Sequence, residues 1–499
     1  MSSATKNSKL YTEKHRPLFH FSSPINWLND PNGLLYYNGK YHLFFQYNPS
    51  DKVWGDMHWG HATSIDLIHW QHHSPAICSE PDGLGYIFSG SALVDWHNSS
   101  GLQQGEHPPL LAIFTHNSRH DKQVQSIAYS VDGGDQWQQY CKNPVIKNPG
   151  LKDFRDPKVI WHNDSKRWIM VLAAGNVVQF YSSVNLLEWQ YMVDFGKDFG
   201  AHGGVWECPD FFPLKVDGSK EEKWVLLVSI SPGGPNKGSA TQYFIGEFDG
   251  TRFVQQHTEI LWMDYGPDCY AGVTFSDIPK LDGRRIMLAW MTNWLYASQQ
   301  PTAPWRGAMT FPRELTLVKS VHGIRLSAKP IAELSMLRLP NPINFQQIYF
   351  DKPISLDSGQ ALAECLELHL TIDWSEHLSD KWILRFHNEI GEALIIDFNS
   401  SINQLEIDRS KANYRLSHIK EFNNQIKAPV ELGGKKHISL IILKDASSIE
   451  IFTDNGLCVS TTTYFVEAPL SHLDIQSGHN DIPMKIKSAQ IYSLESIWH

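Results

Sequence analysis

GLLYYNGKYHLFFQYN, residues 33–48, predicts two β-strands joined by a tight turn. Asn38 and Gly39 separate two runs rich in aromatic residues, and an Asn-Gly pair readily adopts the backbone conformation of a two-residue hairpin. Short runs of this kind, separated by turn residues, continue from Pro17 to about Leu317, where helical periodicity is scarce. The larger, N-terminal part of the chain is therefore predicted to consist of β-strands.

A weak internal repeat recurs in this region. Its copies are Ser64-x-Asp66-x-x-x-Trp70, Ser130-x-Asp132 with Trp137 one residue further along, and Ser183-x-Asn185-x-x-x-Trp189. Each copy follows a strand-like run. Repeats of a few strands and a turn are typical of the blades of a β-propeller, although chance recurrence of hairpins is the alternative explanation.

A change of pattern predicts a domain boundary near residue 340. Residues 329–339, KPIAELSMLRL, form the clearest helix-like stretch, and the Pro-Asn-Pro that follows interrupts a helix. Alternating strand patterns then continue to the C-terminus and favour an antiparallel sandwich. We predict a β-propeller domain over residues 1–328, a linker over 329–342 and a β-sandwich over 343–499.

Composition narrows the classes of partner. The formal net charge of -10 and the absence of a Lys/Arg-rich run disfavour nucleic acid and anionic membranes. The 18 Trp, 18 Tyr and 24 Phe residues suit stacking on sugar rings, but core packing explains most of them equally well. Six widely spaced cysteines favour buried, reduced thiols.

The N-terminal residues lack the apolar segment of a secretory signal, and no stretch approaches the roughly 18 apolar residues of a membrane helix. We expect a cytoplasmic protein, or a secreted or periplasmic one if a signal segment has been removed.

Three carboxylates stand in apolar, turn-forming surroundings: Asp30 in WLNDPNG, Asp156 in FRDPK and Glu207 in WECPD. Each alone has a structural explanation, since Asp before Pro commonly begins a turn and a buried Glu is often a core residue with satisfied hydrogen bonds. Glycosidic cleavage needs one carboxylic acid to protonate the leaving oxygen and one carboxylate to attack or to activate water. Asp30 and Glu207 are candidates for this pair, but spacing alone does not say which carboxylates meet.

Three segments in this order, WLNDPNG (27–33), FRDP (154–157) and WECPD (206–210), resemble the signature motifs of glycoside hydrolase family 32, the invertases, levanases and inulinases. The similarity extends over essentially the whole chain from Arg16. It includes FQYNP (45–49), WG (54–55), HWGH (58–61), FSGS (88–91), PWR (304–306) and PRE (312–314). The resemblance implies a five-bladed β-propeller with a funnel-shaped pocket on its axis, followed by a C-terminal β-sandwich.

The resemblance also implies a role for each motif residue. Asp30 is the nucleophile, Glu207 the acid and base, and Asp156 holds fructosyl hydroxyls while Arg155 orients the site. Hydroxyl contacts are implied for Asn29, Gln46, Ser89 and Asp264, and apolar walls for Trp27, Trp54, Phe88 and Trp294. The three Trp residues have propeller-core packing as an alternative, and Ser89 has turn formation. No metal and no organic cofactor is expected.

The function implied is a retaining, exo-acting β-fructosidase acting on sucrose, fructo-oligosaccharides or fructans. AHGGVWECPDFF (201–212) and DYGPDCYAGVTFSD (264–277) are more similar to exo-levanases and exo-inulinases than to sucrose-6-phosphate hydrolases. A sucrose-6-phosphate hydrolase and a fructosyltransferase stay open as alternatives. A non-catalytic fructan-binding protein is disfavoured because all three carboxylates are present. The oligomeric state is left open.

Overall fold

The computed structural model describes residues 10–80, 82–375, 377–479 and 482–498. These residues form seven β-sheets, five before residue 331 and two after residue 342. The helices in them are 3-10 turns, Ala297–Gln299, Ala332–Leu337 and Asp454–Gly456. The protein is therefore all-β, as predicted.

The N-terminal sheets each contain strands that are mostly consecutive in the chain. The first has β1 (Asn26–Tyr37), β2 (Lys40–Asn48), β3 (His58–Ser64) and β4 (Gln71–Ile77). The second has β5 (Tyr86–Val94), β6 (Leu110–Asn117), β7 (Gln123–Ser130) and β8 (Gln138–Gln139). The third has β9 (Phe154–His162), β10 (Arg167–Ala174), β11 (Val177–Ser183) and β12 (Gln190–Phe195). The fourth has β13 (Val205–Lys215), β14 (Glu222–Ser231), β15 (Ala240–Phe248), β16 (Phe253–Gln255) and β17 (Leu261–Trp262). The fifth has β18 (Tyr270–Thr274), β19 (Arg285–Trp290), β21 (Arg313–Ser320) and β22 (Gly323–Pro330), while β20 (Trp305–Arg306) joins the first sheet.

The first strands of the five sheets, β1, β5, β9, β13 and β18, adjoin one another in a ring. Strand β20 leaves the fifth sheet and pairs in parallel with β1, Asn26 opposite Trp305 and Trp27 opposite Arg306. This pairing ties the end of the domain to its beginning. The five sheets are the blades of a closed β-propeller.

The sequence signals for the blades are confirmed. Tyr37 pairs with Lys40 across a turn in which Asn38 and Gly39 have φ of 48° and 80°. The repeat is one shared turn directly after β3, β7 and β11, in which the Ser hydroxyl bonds the Asp or Asn and the Trp indole bonds a carbonyl three residues earlier. These pairs are Ser64–Asp66 and Trp70–Leu67, Ser130–Asp132 and Trp137–Gly134, and Ser183–Asn185 and Trp189–Leu186.

The remaining strands form two six-stranded antiparallel sheets. They are β23 (Ile343–Phe350), β24 (Ile354–Ser355), β25 (Leu366–Asp373), β26 (Lys381–His387), β27 (Ala393–Asn399), β28 (Gln404–Lys411), β29 (Ile426–Pro429), β30 (His437–Lys444), β31 (Ser448–Thr453), β32 (Cys458–Thr463), β33 (His472–Ser477) and β34 (Met484–Ser493). One sheet has the order β23-β34-β25-β30-β31-β32 and the other β24-β33-β26-β27-β28-β29. Alternate residues such as Trp382, Leu384 and Phe386 are buried in the core that the two sheets enclose, as in a β-sandwich.

The segment predicted as a linker, residues 329–342, contains the end of β22 and the 3-10 turn Ala332–Leu337. All six cysteines are free thiols. Four are buried as predicted, but Cys78 and Cys141 are exposed, because they follow the outer strands β4 and β8.

A buried cluster of charged side chains joins the propeller to the sandwich. Arg313 on β21 donates to Asp264 at 2.8 Å and, through Nε, to Glu450 on β31 at 3.1 Å, and all three side chains are 0% exposed. His20 lies between two sandwich carboxylates, with Nδ1 2.7 Å from Asp445 and Nε2 2.8 Å from Glu450. Burial lowers the pKa of His20, but these two carboxylates outweigh it and raise the pKa to about 9.

This histidine makes the stability of the protein depend on pH. Because the folded-state pKa of His20 is about 9 and its usual value is 6.5, its contribution is fully present below about pH 6.5 and is lost as the pH rises through 9. We expect the free energy of unfolding to fall by about 3 kcal/mol over this window. Urea denaturation at several pH values measures the change.

The control variants for this prediction are His20→Gln and His472→Gln. His472 also pairs with two carboxylates, Asp357 and Glu389, but at the surface. The first variant is expected to flatten the alkaline dependence and the second to leave it unchanged. An alkaline slope in His20→Gln equal to that of the parent protein would contradict the prediction.

Candidate active site

Every blade contributes a side chain to one end of the propeller axis. Asp30 lies on β1, Ser89 on β5, Asp156 on β9, Glu207 on β13 and Tyr270 on β18. All five lie in the N-terminal half of their strands, and these strands form the central ring. Residues far apart in the chain therefore meet on the axis.

The strands of this ring share an irregularity at the level of the site. Pairing shifts register between Leu28 and Pro31, Ile87 and Gly90, Arg155 and Lys158, Glu207 and Asp210, and Tyr270 and Val273. Asp156 and Cys208 within these bulges have positive φ, 66° and 45°. A bulge re-aims side chains that regular alternation would send to opposite faces of the sheet. The bulges therefore allow several neighbouring residues to face the axis.

The Asp30 carboxylate is held through one oxygen. Its Oδ2 accepts hydrogen bonds from the Ser89 hydroxyl at 2.7 Å and the Cys208 thiol at 3.5 Å. Its Oδ1 has no hydrogen-bond partner among the described residues. Burial and the charge of Glu207 raise the pKa of Asp30, and the side chains of Ser89, Asn29 and Cys208 oppose that rise.

Cys208 links Asp30 to the second aspartate. The Cys208 backbone N–H donates to Asp156 Oδ2 at 2.9 Å, and its Sγ lies 3.6 Å from the same oxygen. Burial raises the pKa of Asp156 to about 7; Arg155 opposes this, while Glu207 and Asp30 reinforce it. The carboxyl groups are thus close enough to influence one another's ionisation.

Glu207 is more open to solvent than Asp156, with 21% of its side chain exposed against 5%. Arg155 donates to Oε1 from Nη2 at 3.0 Å and from Nε at 3.2 Å, and the Tyr270 hydroxyl donates to Oε2. Arg155 also donates to Asp153 at 2.7 Å, and its Nε lies 3.9 Å from Asp156. One guanidinium therefore contacts three carboxylates, and together with the Tyr270 hydroxyl it fixes the position of Glu207.

The predicted polar contacts next to Asp30 lie at the site. Trp27 donates its indole N–H to Asn29 at 2.7 Å, and Gln46 donates to Asn32 at 2.7 Å. Trp27 is almost fully buried and packs on half-buried Trp294, with ring centroids 5.9 Å apart. Trp27 is thus a core residue, as the alternative explanation of propeller-core packing stated. Its indole N–H also orients Asn29, which lies next to Asp30.

The predicted wall of Trp54 and Phe88 lies at the rim of the site. Their ring centroids are 6.0 Å apart at an angle of 67°, and Trp54 is 45% exposed. Core packing does not account for so exposed an indole. Since Phe88 directly precedes Ser89, this aromatic pair borders the carboxylate that Ser89 holds.

Asp264 is not part of this arrangement. Its Oδ2 binds Arg313 and the Thr461 hydroxyl, and its Oδ1 accepts the backbone N–H groups of Gly266 at 2.7 Å and Thr461 at 2.9 Å. Both oxygens are used at the interface with the sandwich, where the side chain is fully buried. The predicted contact of Asp264 with a substrate hydroxyl is therefore wrong.

Three contributors to the site were not predicted from the sequence: Cys208, Tyr270 and Asp153. Cys208 directly follows Glu207 in WECPD, and Tyr270 lies in DYGPDCYAG, a segment that resembles the family, so their presence in these segments was the available signal. Asp153 had no such signal, because its role depends on where the Arg155 side chain turns.

The described part of the chain contains neither a cluster of metal-ligating side chains nor a helix that could span a membrane. No group of three or more His, Cys, Asp or Glu side chains there is placed to hold a metal ion. No helix within those residues has the length and apolar character needed to cross a membrane.

Comparison with known proteins agrees with this geometry. The chain is 42% identical over 505 residues to the levanase of Bacillus subtilis (strain 168), covering 100% of this chain and 73% of that protein. Its structure is similar to exo-inulinase from Aspergillus awamori, with TM-score 0.90, 32% identity and coverage of 98% of this chain and 100% of that one. Fructofuranosidase from Schwanniomyces occidentalis complexed with fructose gives TM-score 0.89, 32% identity and the same coverage of 98% and 100%.

Two family models cover most of the chain. The glycosyl hydrolases family 32 N-terminal domain matches residues 20–330, and the glycosyl hydrolases family 32 C terminal matches residues 333–493. The two matches correspond to the propeller and the sandwich. With its three motif carboxylates gathered on the propeller axis, the chain belongs to glycoside hydrolase family 32 and is a glycoside hydrolase.

Proposed function

We propose that the protein is a retaining, exo-acting β-fructosidase that releases terminal β-D-fructofuranosyl units from sucrose, fructo-oligosaccharides or fructans. One observation carries this proposal: Asp30, with one oxygen free of protein donors, shares a cluster with Glu207, whose side chain is the more open to solvent. A nucleophile needs an unused lone pair, and a proton donor needs access to the leaving group. The relatives named levanase, exo-inulinase and fructofuranosidase support the substrate class.

In the first step, Asp30 Oδ1 forms a bond to the anomeric carbon of the terminal fructosyl unit. The glycosidic C–O bond breaks, its electron pair stays on the leaving oxygen, and Glu207 supplies the proton to that oxygen. Positive charge develops on the sugar ring in the transition state, where the ionised form of Asp156 stabilises it most. Ser89 and Cys208 hold the other oxygen of Asp30 in position.

In the second step, water attacks the same carbon while Glu207 takes the proton from that water. The bond to Asp30 breaks, and fructose leaves with the configuration of the starting glycoside. Arg155 and Tyr270 keep Glu207 in one place through both steps. The second displacement returns both carboxyl groups to their starting protonation states.

The closed floor of the site supports action at chain ends. Beyond the carboxylates lies a cavity of about 10 Å³, roughly the space of one water, lined by Asn32, Ser89 and Asp156 among others. Lys158 closes it, donating to the Thr274 carbonyl at 2.8 Å and lying 3.2 Å from Asp210. Because this lysine prevents a fructan from threading through the axis, it supports entry of a terminal unit to Asp30.

The alternatives within the family differ in acceptor or in substrate charge. A fructosyltransferase uses the same intermediate but passes the fructosyl unit to a sugar hydroxyl, and product analysis at high sucrose separates the two activities. A fructan-binding protein without catalysis does not require all three carboxylates, so their joint presence disfavours that alternative.

We expect Glu207→Ala to lower kcat on sucrose by about 10²–10⁴-fold, the usual contribution of a general acid. Asp30→Ala is expected to lower it at least as much, because no intermediate forms without the nucleophile. Steady-state release of fructose measures both effects, and the circular dichroism spectrum checks folding. Glu188→Gln, on the exposed turn before β12, is the matched control and is expected to retain activity.

Azide separates the two roles. As a nucleophile that needs no general base, azide is expected to accelerate turnover of an activated fructoside by Glu207→Ala but not by Asp30→Ala. Activity near that of the parent protein in either alanine variant refutes the assignment.

Retention of configuration is a separate expectation. Two displacements require the carboxyl groups to lie about 5 to 5.5 Å apart, whereas an inverting pair leaves room for water at about 6.5 Å or more. With methanol present, NMR spectroscopy is expected to show methyl β-D-fructofuranoside. The α-anomer as the initial product would indicate inversion.

Sucrose 6-phosphate is expected to be no better a substrate than sucrose. A dianionic phosphate needs unoccupied cationic donors, and Arg155 is already engaged by Asp153, Asp156 and Glu207. The ratio of kcat/KM for the two sugars at low salt measures this preference. A ratio of about ten or more in favour of the phosphorylated sugar, about 1.4 kcal/mol, would support the phosphate-specific alternative.

A further inference from the structure

A second cavity, of about 580 Å³, opens at the opposite end of the propeller axis. Its lining comes from the C-terminal ends of β5, β9 and β13 and from the loop after β18, whereas the carboxylates lie toward the N-terminal ends of those strands. Lys158 lines both this cavity and the small one behind the carboxylates, and it separates them. We call this cavity the rear pocket; it is lined by Trp96, Trp161, Phe212, Asp277, Lys280 and Arg285, among others.

Three tryptophans line the rear pocket, and the rings of Trp96 and Trp161 are more exposed than that of buried Trp168. Trp96 is 57% exposed, yet its N–H is fixed by a 2.9 Å hydrogen bond to Asp277. Half-buried Trp161 packs edge-on against Trp168, with ring centroids 5.1 Å apart, and against His97 at 6.3 Å. Core packing does not account for Trp96. Fixed, exposed aromatic faces suit the apolar C–H face of a sugar ring and lose little entropy on binding.

A guanidinium supplies hydrogen-bond donors beside these rings. Arg285 lies 4.8 Å over the Phe212 ring and donates from Nη1 to the Phe275 carbonyl at 3.2 Å. In the described part of the chain it has neither a second hydrogen bond nor a carboxylate within ion-pair distance. Its other N–H groups are therefore available to oxygen atoms of a ligand.

The charges next to the aromatic wall of the rear pocket nearly balance, since Asp210 and Asp277 face Lys158 and Arg285, and the exposed Lys280 adds a positive charge at its edge; this balance suits a neutral ligand. Lys158 is paired with Asp210 at 3.2 Å. Asp277 influences both Arg285 and Lys158 electrostatically and opposes a second negative charge nearby. A pocket of this volume with aromatic walls and a few polar groups is typical of small-molecule sites.

We propose that the rear pocket is a second saccharide-binding site, which holds a neutral oligosaccharide by stacking on Trp96 and Trp161 and by hydrogen bonds from Arg285. That the saccharide is a fructan rests on the proposed function. Holding one part of a branched or long polymer at this end of the propeller raises the local concentration of chain ends at the other end. Sucrose is too short to gain from it.

The binding test uses Glu207→Gln, which leaves ligands uncleaved. Isothermal titration with 1-kestose is expected to reveal two sites per chain, and Trp161→Ala or Arg285→Gln in the same background is expected to leave one. Tyr191→Ala is the matched control, because Tyr191 is a 50% exposed aromatic residue whose hydroxyl donates to Asp194 at 3.1 Å. This control is expected to keep both sites.

The activity test uses an intact active site. Trp96→Ala and Trp161→Ala are each expected to lower kcat/KM on long levan or inulin by about two- to tenfold, the range of one aromatic contact, with sucrose hydrolysis unchanged. Unchanged sucrose hydrolysis also shows that the variants fold.

Three outcomes overturn the proposal, and each is distinct from failure of the proposed function. They are a single site in Glu207→Gln, equal fructan turnover in the Trp variants and the parent protein, and inorganic phosphate binding that exceeds 1-kestose binding and is lost in Arg285→Gln. The last would make the rear pocket an anion site. If the parent protein releases no fructose from sucrose or fructan, the proposed function fails, while the titration still reports on the pocket.

Discussion

Closure of five sheets around one axis is the constraint on which the rest of this molecule depends. The parallel pairing of β20 with β1 completes the ring, and it leaves the first strand of every blade with one end at the same place. Asp30, Asp156 and Glu207 meet because of that arrangement and not because of their spacing in the chain. The register shifts in these strands at the level of the site let neighbouring residues of one strand face the axis.

The sandwich contributes to the site indirectly, through the segment that precedes Tyr270. Asp268 accepts hydrogen bonds from Arg409 of the sandwich at 2.8 Å and from Tyr296 at 2.6 Å. Asp268 lies two residues before Tyr270, whose hydroxyl donates to Glu207. Burial of the charged Asp268 and Arg409 costs solvation free energy that an apolar interface would avoid. The main effect of this ion pair is therefore to define how the two domains dock, and its net contribution to stability is small. The C-terminal domain thus holds in place the strand that carries Tyr270.

Local signals were enough to predict the blades, because each of these signals depends on only a few adjacent residues. Asn38-Gly39 needs no partner to favour its turn, and the Ser-x-Asp turn is formed within one loop. The helix-like pattern of residues 329–339 became a strand end and a short 3-10 turn, since Leu334 and Leu337 are buried against the propeller core. Periodicity alone does not distinguish such a segment from a true helix.

The site was predictable only as far as the motifs extend. Asp30, Asp156 and Glu207 lie in motifs with distinctive neighbours, so resemblance was sufficient to identify them as candidates. The role of Cys208 as a bridge depends on a bulge with positive φ, which no residue preference indicates. Asp264 was assigned a substrate contact by the resemblance alone, and its side chain instead binds Arg313 at the interface with the sandwich.

Lys158 has a kinetic consequence as well as a structural one. Because it blocks the axis behind the carboxylates, a released fructose has a single exit, the mouth through which the polymer entered. The shortened polymer has to withdraw before the monosaccharide departs, and a fresh end has to enter afterwards. On the proposed function, each cleavage is therefore followed by withdrawal of the shortened chain end from the mouth, and repeated cleavage of one polymer requires that its end enter again.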